Sequence, residues 1–445
     1  MPFTYLGLPM GTTKPRIEDM SSLMVKIERR LNGCSSLLSL SGRLQLVNSM
    51  ITPITMSTMC TIKLHKGVID NIDMARKQCL WRGNDLDKKG GHLAAWSMVQ
   101  RPKEKGGLGV INLRLQNDAL LLKQLHKFYS RQDVPWVSLI WNTYYQNKVP
   151  HASREVGSFW WKDVLRLNVL YRGIAKCSLG NGSTVLFWED LWSPVILSQR
   201  FPSLFQHAAN NSSSVKEVML APDLASVFNL PLSQEAYDEL VEMQETLSII
   251  PYDPNANDHW AFLWGNDRYS SQKLYKLAFA TMDVPRTFSL IWKCQCTLRV
   301  RIFAWLILVD RLNTRVMLRR RNFHIQGGYN CVFCHLGVDE DVDHLLFACP
   351  FAERCRRKLH VHWDLSLDIH ARIMQARQAS SYSFFMEIFL IAAWEIWKLR
   401  NAIIFDAARG SLNLWIVRFK EQVLLQSVRF SHDKEALVKS WISSL

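Results

Sequence analysis

The sequence predicts a mainly α fold with small β-hairpins, and three observations predict it. Apolar residues recur at helical intervals in successive segments: Met20, Met24, Ile27 and Leu31, then Leu40, Leu44, Val47 and Ile51, then Val68, Ile72, Ala75 and Cys79. That spacing gives a helix one buried face. Strand-like runs bracketed by turn residues are short and few, the clearest being "AKCSL" and "TVLFW" around "GNGS". Finally, 445 residues with 48% hydrophobic content and 17 tryptophans can bury a sizeable core across several domains.

Taken in order, residues 1–16 are extended and apolar and read as the end of a domain that began earlier. Residues 17–83 hold three basic helices, stopped by "NG" at 32–33, restarted near Ser41 and ended by Pro53. Residues 84–193 form a connector. Within it "KGGLGV", at 105–110, lacks the full context of a phosphate cradle and reads as a turn, a helix runs from Asn117 to about Tyr129, and "GNGS" turns a hairpin whose Trp188 and Trp192 pack in a core. Residues 194–256 are rich in Ser, Asn, Pro and Asp and read as linker-like, with a weaker helix over 234–246. A strand pair and a helix starting at Ser270 or Ser271 fill 257–287, a Cys/His-bearing helical module fills 288–360, and two helices, over 380–405 and 411–430, occupy 361–445. No internal repeat is visible.

Charge and cysteine content narrow the function classes. Lys and Arg number 54 against 39 Asp and Glu, a formal charge of +15. Such an excess favours a polyanionic partner, above all nucleic acid. Ten cysteines are too sparse for a disulfide scaffold. With no secretory signal and no uninterrupted apolar span, since Glu387 and Glu395 break "FFMEIFLIAAWEIW", the expected home is intracellular, nuclear or cytoplasmic, with no membrane partner.

The stretch "CVFCHLGVDEDVDHLLFACP", residues 331–350, carries the chemistry. Cys331 and Cys334 form a C-x-x-C knuckle, and His344 and Cys349 follow as H-x4-C. Thiolate and imidazole bind zinc tetrahedrally, and a two-residue gap lets both knuckle sulfurs reach one ion. A helical turn over 345–348 would bring the second pair to it. Three sulfurs and one nitrogen leave no open position, so the metal expected is one structural Zn2+. The competing reading is four buried or surface side chains with no ion, and His335 and Cys355 stand near enough to substitute as ligands.

Several segments, in order, resemble the C-terminal half of plant non-LTR (LINE-type) retrotransposon reverse transcriptases. They are "YLGLPMG", "LSGRLQLVNSMI", "CLWRG", "RPKEKGGLGVINL", "GNGSTVLFWEDLW", "YSSQKLYKL", "IFAWLILVDRLNTRVMLRRR", the cysteine cluster and "AAWEIWKLRNAIIF". The resemblance implies that residues 1–16 are a palm remnant, that 17–83 is a thumb-like helical bundle, and that 288–360 is the reverse-transcriptase zinc-binding domain with Cys331, Cys334, His344 and Cys349 as ligands. It implies RNA or an RNA/DNA duplex as partner, with a separate polymerase palm as another, and no small-molecule substrate. Lys26, Arg29, Arg30 and Arg43 would then meet the template and primer, and Arg299, Arg301, Arg319, Arg320 and Arg321 would grip RNA. No Ala-Asp-Asp turn is present, "DLD" at 85–87 and "DED" at 339–341 read as charged loops, and no enzymatic activity is expected. The chain departs from the family at "CTLRVR", 296–301, where prolines and lysines are usual, and at Asp341, where Ser or Thr is common. The alternative function is a non-enzymatic helical interaction protein or an inactive pseudogene product.

Overall fold

The computed structural model describes residues 3–5, 8–32, 38–82, 92–145, 148–150 and 156–445. The charged loop at 85–87 and the glycine stop at 33 lie outside them. Helices dominate, and the strands form two antiparallel pairs. β1 (Phe3–Tyr5) and β2 (Leu8–Met10) make a hairpin with Phe3 opposite Met10. β3 (Ala175–Ser178) pairs with β4 (His259–Phe262), Ala175 opposite Phe262 and Ser178 opposite His259. The mainly helical class therefore holds, but two local expectations change: β3 does not pair with "TVLFW", and β4 has no second strand beside it in 257–287.

The reason lies in the "GNGS" turn. Asp258 accepts hydrogen bonds from the amides of Gly180 (3.0 Å), Gly182 (2.8 Å) and Thr184 (2.9 Å) and from the Thr184 hydroxyl (2.8 Å). A Cβ on Gly180 would stand 2.5 Å from the Asn257 carbonyl oxygen. The glycines thus admit a distant strand at close range rather than folding two neighbouring strands together.

The described residues divide into two compact units, each assembled from three stretches of chain. The first comprises residues 1–27, 53–73 and 113–278. Its core is aromatic: Phe128 stacks on Trp141 with centroids 4.3 Å apart, Tyr129 stacks on Tyr171, and Trp161 and Trp260 fill the gaps. Trp188 and Trp192 are core residues as expected, the Trp192 indole donating to the Phe187 carbonyl at 2.9 Å. Asn117, fully buried near the start of the helix Leu113–Tyr129, clamps the end of the helix Thr52–Thr61. It donates to the Met59 and Ile62 carbonyls and accepts from the Leu64 amide.

Residues 194–256 belong to this core and do not behave as a linker. Leu197, Leu204, Val215, Ala236 and Met243 are completely buried. The polar residues that suggest a linker are helix starts instead: Ser214 and Glu217 form a reciprocal capping box, and Ser233 caps Gln234–Ile249.

The second unit comprises residues 28–52, 74–112 and 279–445. At its centre the helix Leu298–Leu308 is buried from Ile302 through Leu308. It packs against Phe385–Phe405 and Leu40–Leu46. The glycine run is a turn pressed inward. Gly106 has φ +79°, its carbonyl accepts from the Trp305 indole at 2.9 Å, and a Cβ on Gly107 would stand 2.0 Å from the Arg101 oxygen. Lys103 lies over the Trp292 ring rather than facing an open cradle. No helix among the described residues is long and apolar enough to cross a membrane.

Two helix expectations are corrected. Pro53 does not end a helix. The helical run continues through it: Pro53 follows a π turn, Val47–Ile51, whose wider i to i+5 closure accommodates a residue without an N–H, and sits second in Thr52–Thr61. After Phe385–Phe405 and Leu412–Ser427 comes a third helix, His432–Ser444, which buries Val438, Trp441 and Ile442 at the same helical spacing used to find the others. The helices expected over 17–83 form, but their residues are shared between the two units.

Candidate metal centre and basic surface

The metal-ligand spacing closes in space. Cys331, Cys334, His344 and Cys349 place one donor atom each within 4.8 Å of one another. Cys331 Sγ and Cys349 Sγ are 3.8 Å apart, and Cys334 Sγ is 3.3 Å from His344 Nε2. Sulfurs about 2.3 Å from a tetrahedral zinc stand about 3.8 Å from each other. The residues therefore fit one structural Zn2+ in donor type and number, and the Cys331–Cys349 separation matches a tetrahedral edge. His335 is exposed, Cys355 is buried apart, and neither joins the group.

Each ligand is positioned by local backbone geometry. The Cys331 amide donates to the Val338 carbonyl at 2.9 Å, closing the loop, and the Phe333 amide points at Cys331 Sγ at 3.5 Å. His344 and Cys349 are five residues apart, a poor interval for one face of an α-helix. The expected helical turn forms as a π turn, His344–Ala348, and the Cys349 amide donates to the His344 carbonyl at 2.7 Å. An i to i+5 closure brings positions five apart onto one side. Asp341, which departs from the family pattern, does the work of a cap: its carboxylate accepts from the His344 amide at 2.7 Å. Cys349 is the N-cap residue of the helix Pro350–Lys358. Phe333, inside the knuckle, stacks on Phe351 in that helix with centroids 4.3 Å apart.

The electrostatics ask for a cation. The Cys331 thiol is pushed up, first by its hydrogen bond with Cys349 and then by burial. Cys349 is lowered by the same hydrogen bond and, against the effect of burial, by the amides of Phe351 and Ala352. A zinc ion between two sulfurs this close would let both ionise.

A buried ion pair that the sequence did not disclose anchors the knuckle. Glu340, fully buried, meets Arg400 from the helix Phe385–Phe405, with Nη2 to Oε1 at 2.5 Å and Nε to both oxygens at 3.1 and 3.2 Å. It also accepts from the Arg315 amide at 3.1 Å. Arg372, 3% exposed, pairs with Asp343 and donates to the carbonyls of Asp364, Leu365 and Leu367. "DED" is thus structural at Glu340 and Asp341.

The residues expected to meet nucleic acid are in mixed settings. Lys26, Arg29 and Arg30 are exposed on the helix Ser21–Asn32. Arg43 is half-buried, and burial lowers its pKa. Arg299 is exposed beside the Trp394 ring, while Arg301 is half-buried and donates to the Trp292 carbonyl at 3.1 Å. Arg319 and Arg320 are exposed but paired with Asp339 and Asp310, both at 2.6 Å. Arg321 donates to the Leu93 carbonyl and the Asn313 side chain. A second basic group lies outside the expected set: Arg354, Arg357 and Lys358, exposed at about one-turn spacing on the helix capped by Cys349, with Arg357 paired to Glu353.

Comparison with known proteins bears on this stretch directly. Residues 269–355 match the family model described as zinc-binding in reverse transcriptase. The match points to a reverse-transcriptase-related protein. It holds all four clustered ligands and begins earlier than the expected boundary at 288. A protein of Arabidopsis thaliana named "Putative ribonuclease H protein" is 23% identical over 359 residues. That alignment covers 77% of this chain and 56% of the relative, so the chain spans little more than half of the relative's length.

Proposed function

We propose that these residues are the nucleic-acid-gripping part of a plant non-LTR (LINE-type) retrotransposon reverse transcriptase, acting by binding and not by catalysis. The observation that carries the reading is the Cys331, Cys334, His344, Cys349 cluster at tetrahedral spacing inside the stretch that matches the reverse-transcriptase zinc-binding model. Zinc supplies folding energy there. It fixes the knuckle onto the helix Pro350–Lys358 and presents Arg354 and Lys358, together with Arg299, Arg319 and Arg320, to the phosphates of RNA or an RNA/DNA duplex. Surface pairs such as Arg319–Asp339 are worth little in water and exchange for phosphate readily.

Polymerase or ribonuclease H chemistry needs carboxylates clustered around divalent ions. The reading assigns neither activity to this chain, and the relative's ribonuclease H name is not carried over to it. A separate polymerase palm is the protein partner this reading implies. The test is filter binding of a structured RNA across a salt series on zinc-loaded and chelator-treated protein, with primer extension in parallel. The expected result is tight, steeply salt-dependent binding that is lost with zinc, and no extension. Salt-insensitive binding, or binding indifferent to zinc, sinks the reading; extension by the purified chain removes its non-catalytic part.

A further inference from the structure

The first unit contains an open-mouthed cleft of about 570 Å³ that has no part in the zinc site. One wall is a polar stripe on the helix Leu113–Tyr129, Lys123, His126 and Lys127 at the spacing of a single helix face, continued by Ser130 just past the helix end. The opposite wall is β4 and the turn after it, with His259, Asp267 and Arg268.

The cleft carries a small positive excess, three cations against the two carboxylates of Asp258 and Asp267. Lys123, Lys127 and Arg268 have no ion-pair partner among the described residues, unlike Arg319 and Arg320 of the zinc module. Of the two acids that reach the cleft, Asp258 directs both oxygens at the Gly180–Thr184 turn through four hydrogen bonds. Asp267 is the second carboxylate and lies beside His126. His126 is a fixed wall: its Nδ1 lies 3.3 Å from both the Tyr171 and Ser130 hydroxyls. Trp260 is buried and the Tyr269 hydroxyl is directed to the Ala119 carbonyl, so the exposed ring in the cleft is the small imidazole of His259. A concave site with three cations against two carboxylates, one of them already occupied by four hydrogen bonds, favours an anion.

We propose that this cleft is a phosphate-binding site, taking the diphosphate of a free nucleotide or a phosphodiester of a nucleic-acid strand between Lys123 and Lys127 on one side and Arg268 on the other. The site lies wholly within residues 113–278 and does not depend on the zinc module's function.

Lysine acylation of the full zinc-loaded chain, mapped by peptide mass spectrometry, tests it with inorganic pyrophosphate and a short oligouridylate as probes. Lys176, exposed on β3 and outside the cleft, is the internal control. Protection of Lys123 and Lys127 by pyrophosphate, with Lys176 unchanged, supports a diphosphate site; protection by the oligonucleotide alone supports a backbone site. No protection by either probe, or equal protection of Lys176, overturns the proposal. As a second measurement, the double variant Lys123→Ala, Lys127→Ala should weaken binding of the protecting probe about tenfold or more, since charge-assisted hydrogen bonds are the strong ones. Its zinc content should not change. Undiminished binding by this variant also overturns the assignment.

Discussion

Replacing Glu340 with alanine should damage the zinc module more than removing any surface charge. The carboxylate is fully buried and is the counter-charge of Arg400, itself only 4% exposed at the side chain. Without it the guanidinium stays buried and unpaired, which costs about 3–5 kcal/mol. The Arg315 amide, 3.1 Å from the same carboxylate, loses its acceptor, for about 1 kcal/mol or more. At about 2–4 °C per kcal/mol for a unit of this size, the melting temperature should fall by roughly 10–20 °C. Because Glu340 stands between the knuckle and the Asp341 cap of His344, zinc affinity should fall as well, by about 10–100-fold. The double variant Glu340→Leu, Arg400→Met leaves no orphan charge and should recover much of the stability. Thermal melts by circular dichroism and competition with a chromophoric chelator read both effects. A Glu340→Ala protein melting within about 2 °C of the parent, a loss well below the ion-pair cost, would refute the reasoning. So would a double variant less stable than the single one.

Other expectations follow from the same contacts. Cys349→Ser should abolish the one equivalent of zinc measured by atomic absorption, and zinc release from the parent should increase as pH falls, since the thiols must lose protons to bind; retention of full zinc by the variant would exclude Cys349 as a ligand. Asp258→Ala leaves the Gly180, Gly182 and Thr184 amides without an acceptor and should destabilise the protein by about 2–4 kcal/mol in urea titration. Burial raises the Glu395 carboxyl, so its folded form holds a proton more tightly than its unfolded form. Its contribution is then most favourable below the unfolded pKa and is lost as pH rises through the folded one. Glu395→Gln should therefore raise the melting temperature at neutral pH, with the gain shrinking on acidification. An unchanged difference across pH would rule out that carboxyl as the source.

The zinc site was legible because metal chemistry restricts donor types and spacings so tightly that Cys331, Cys334, His344 and Cys349 stand out from a linear string. Helices were legible where one face is buried, and even the unnoticed His432–Ser444 carries that pattern in Val438, Trp441 and Ile442. Partners far apart in the chain were not. Nothing local tells Glu340 that its arginine lies 60 residues on, or β3 that it pairs with His259–Phe262 and not with its neighbour. Turn residues are ambiguous in the same way: glycine permits a tight hairpin and permits close approach of a remote strand, and only packing decides between them. Serines and aspartates that cap helices, as at Ser214 and Ser233, read as linker composition for the same reason.

The arginines show how far charge counting goes. Seven fall between 299 and 321, a density that suggests one continuous grip on RNA. In the fold their jobs differ. Arg301, Arg315 and Arg321 point guanidinium groups at main-chain carbonyls, of Trp292, of Gly328 and Asn330, and of Leu93. They satisfy backbone acceptors and hold loops. Arg354 and Lys358, outside that run, are exposed on the helix that starts at a metal ligand. Each phosphate contact contributes about one unit to the slope of log K against log salt. The double variant Arg354→Ala, Lys358→Ala should therefore lower that slope by about two with little change in melting temperature. Arg301→Ala should do the reverse, costing stability while leaving the slope of the folded fraction unchanged. Filter binding across a salt series, run beside thermal melts, separates the two. If Arg301 alters the slope and the Arg354, Lys358 pair does not, the RNA-facing surface is the arginine run after all, and the helix Pro350–Lys358 serves only to hold Cys349 in place.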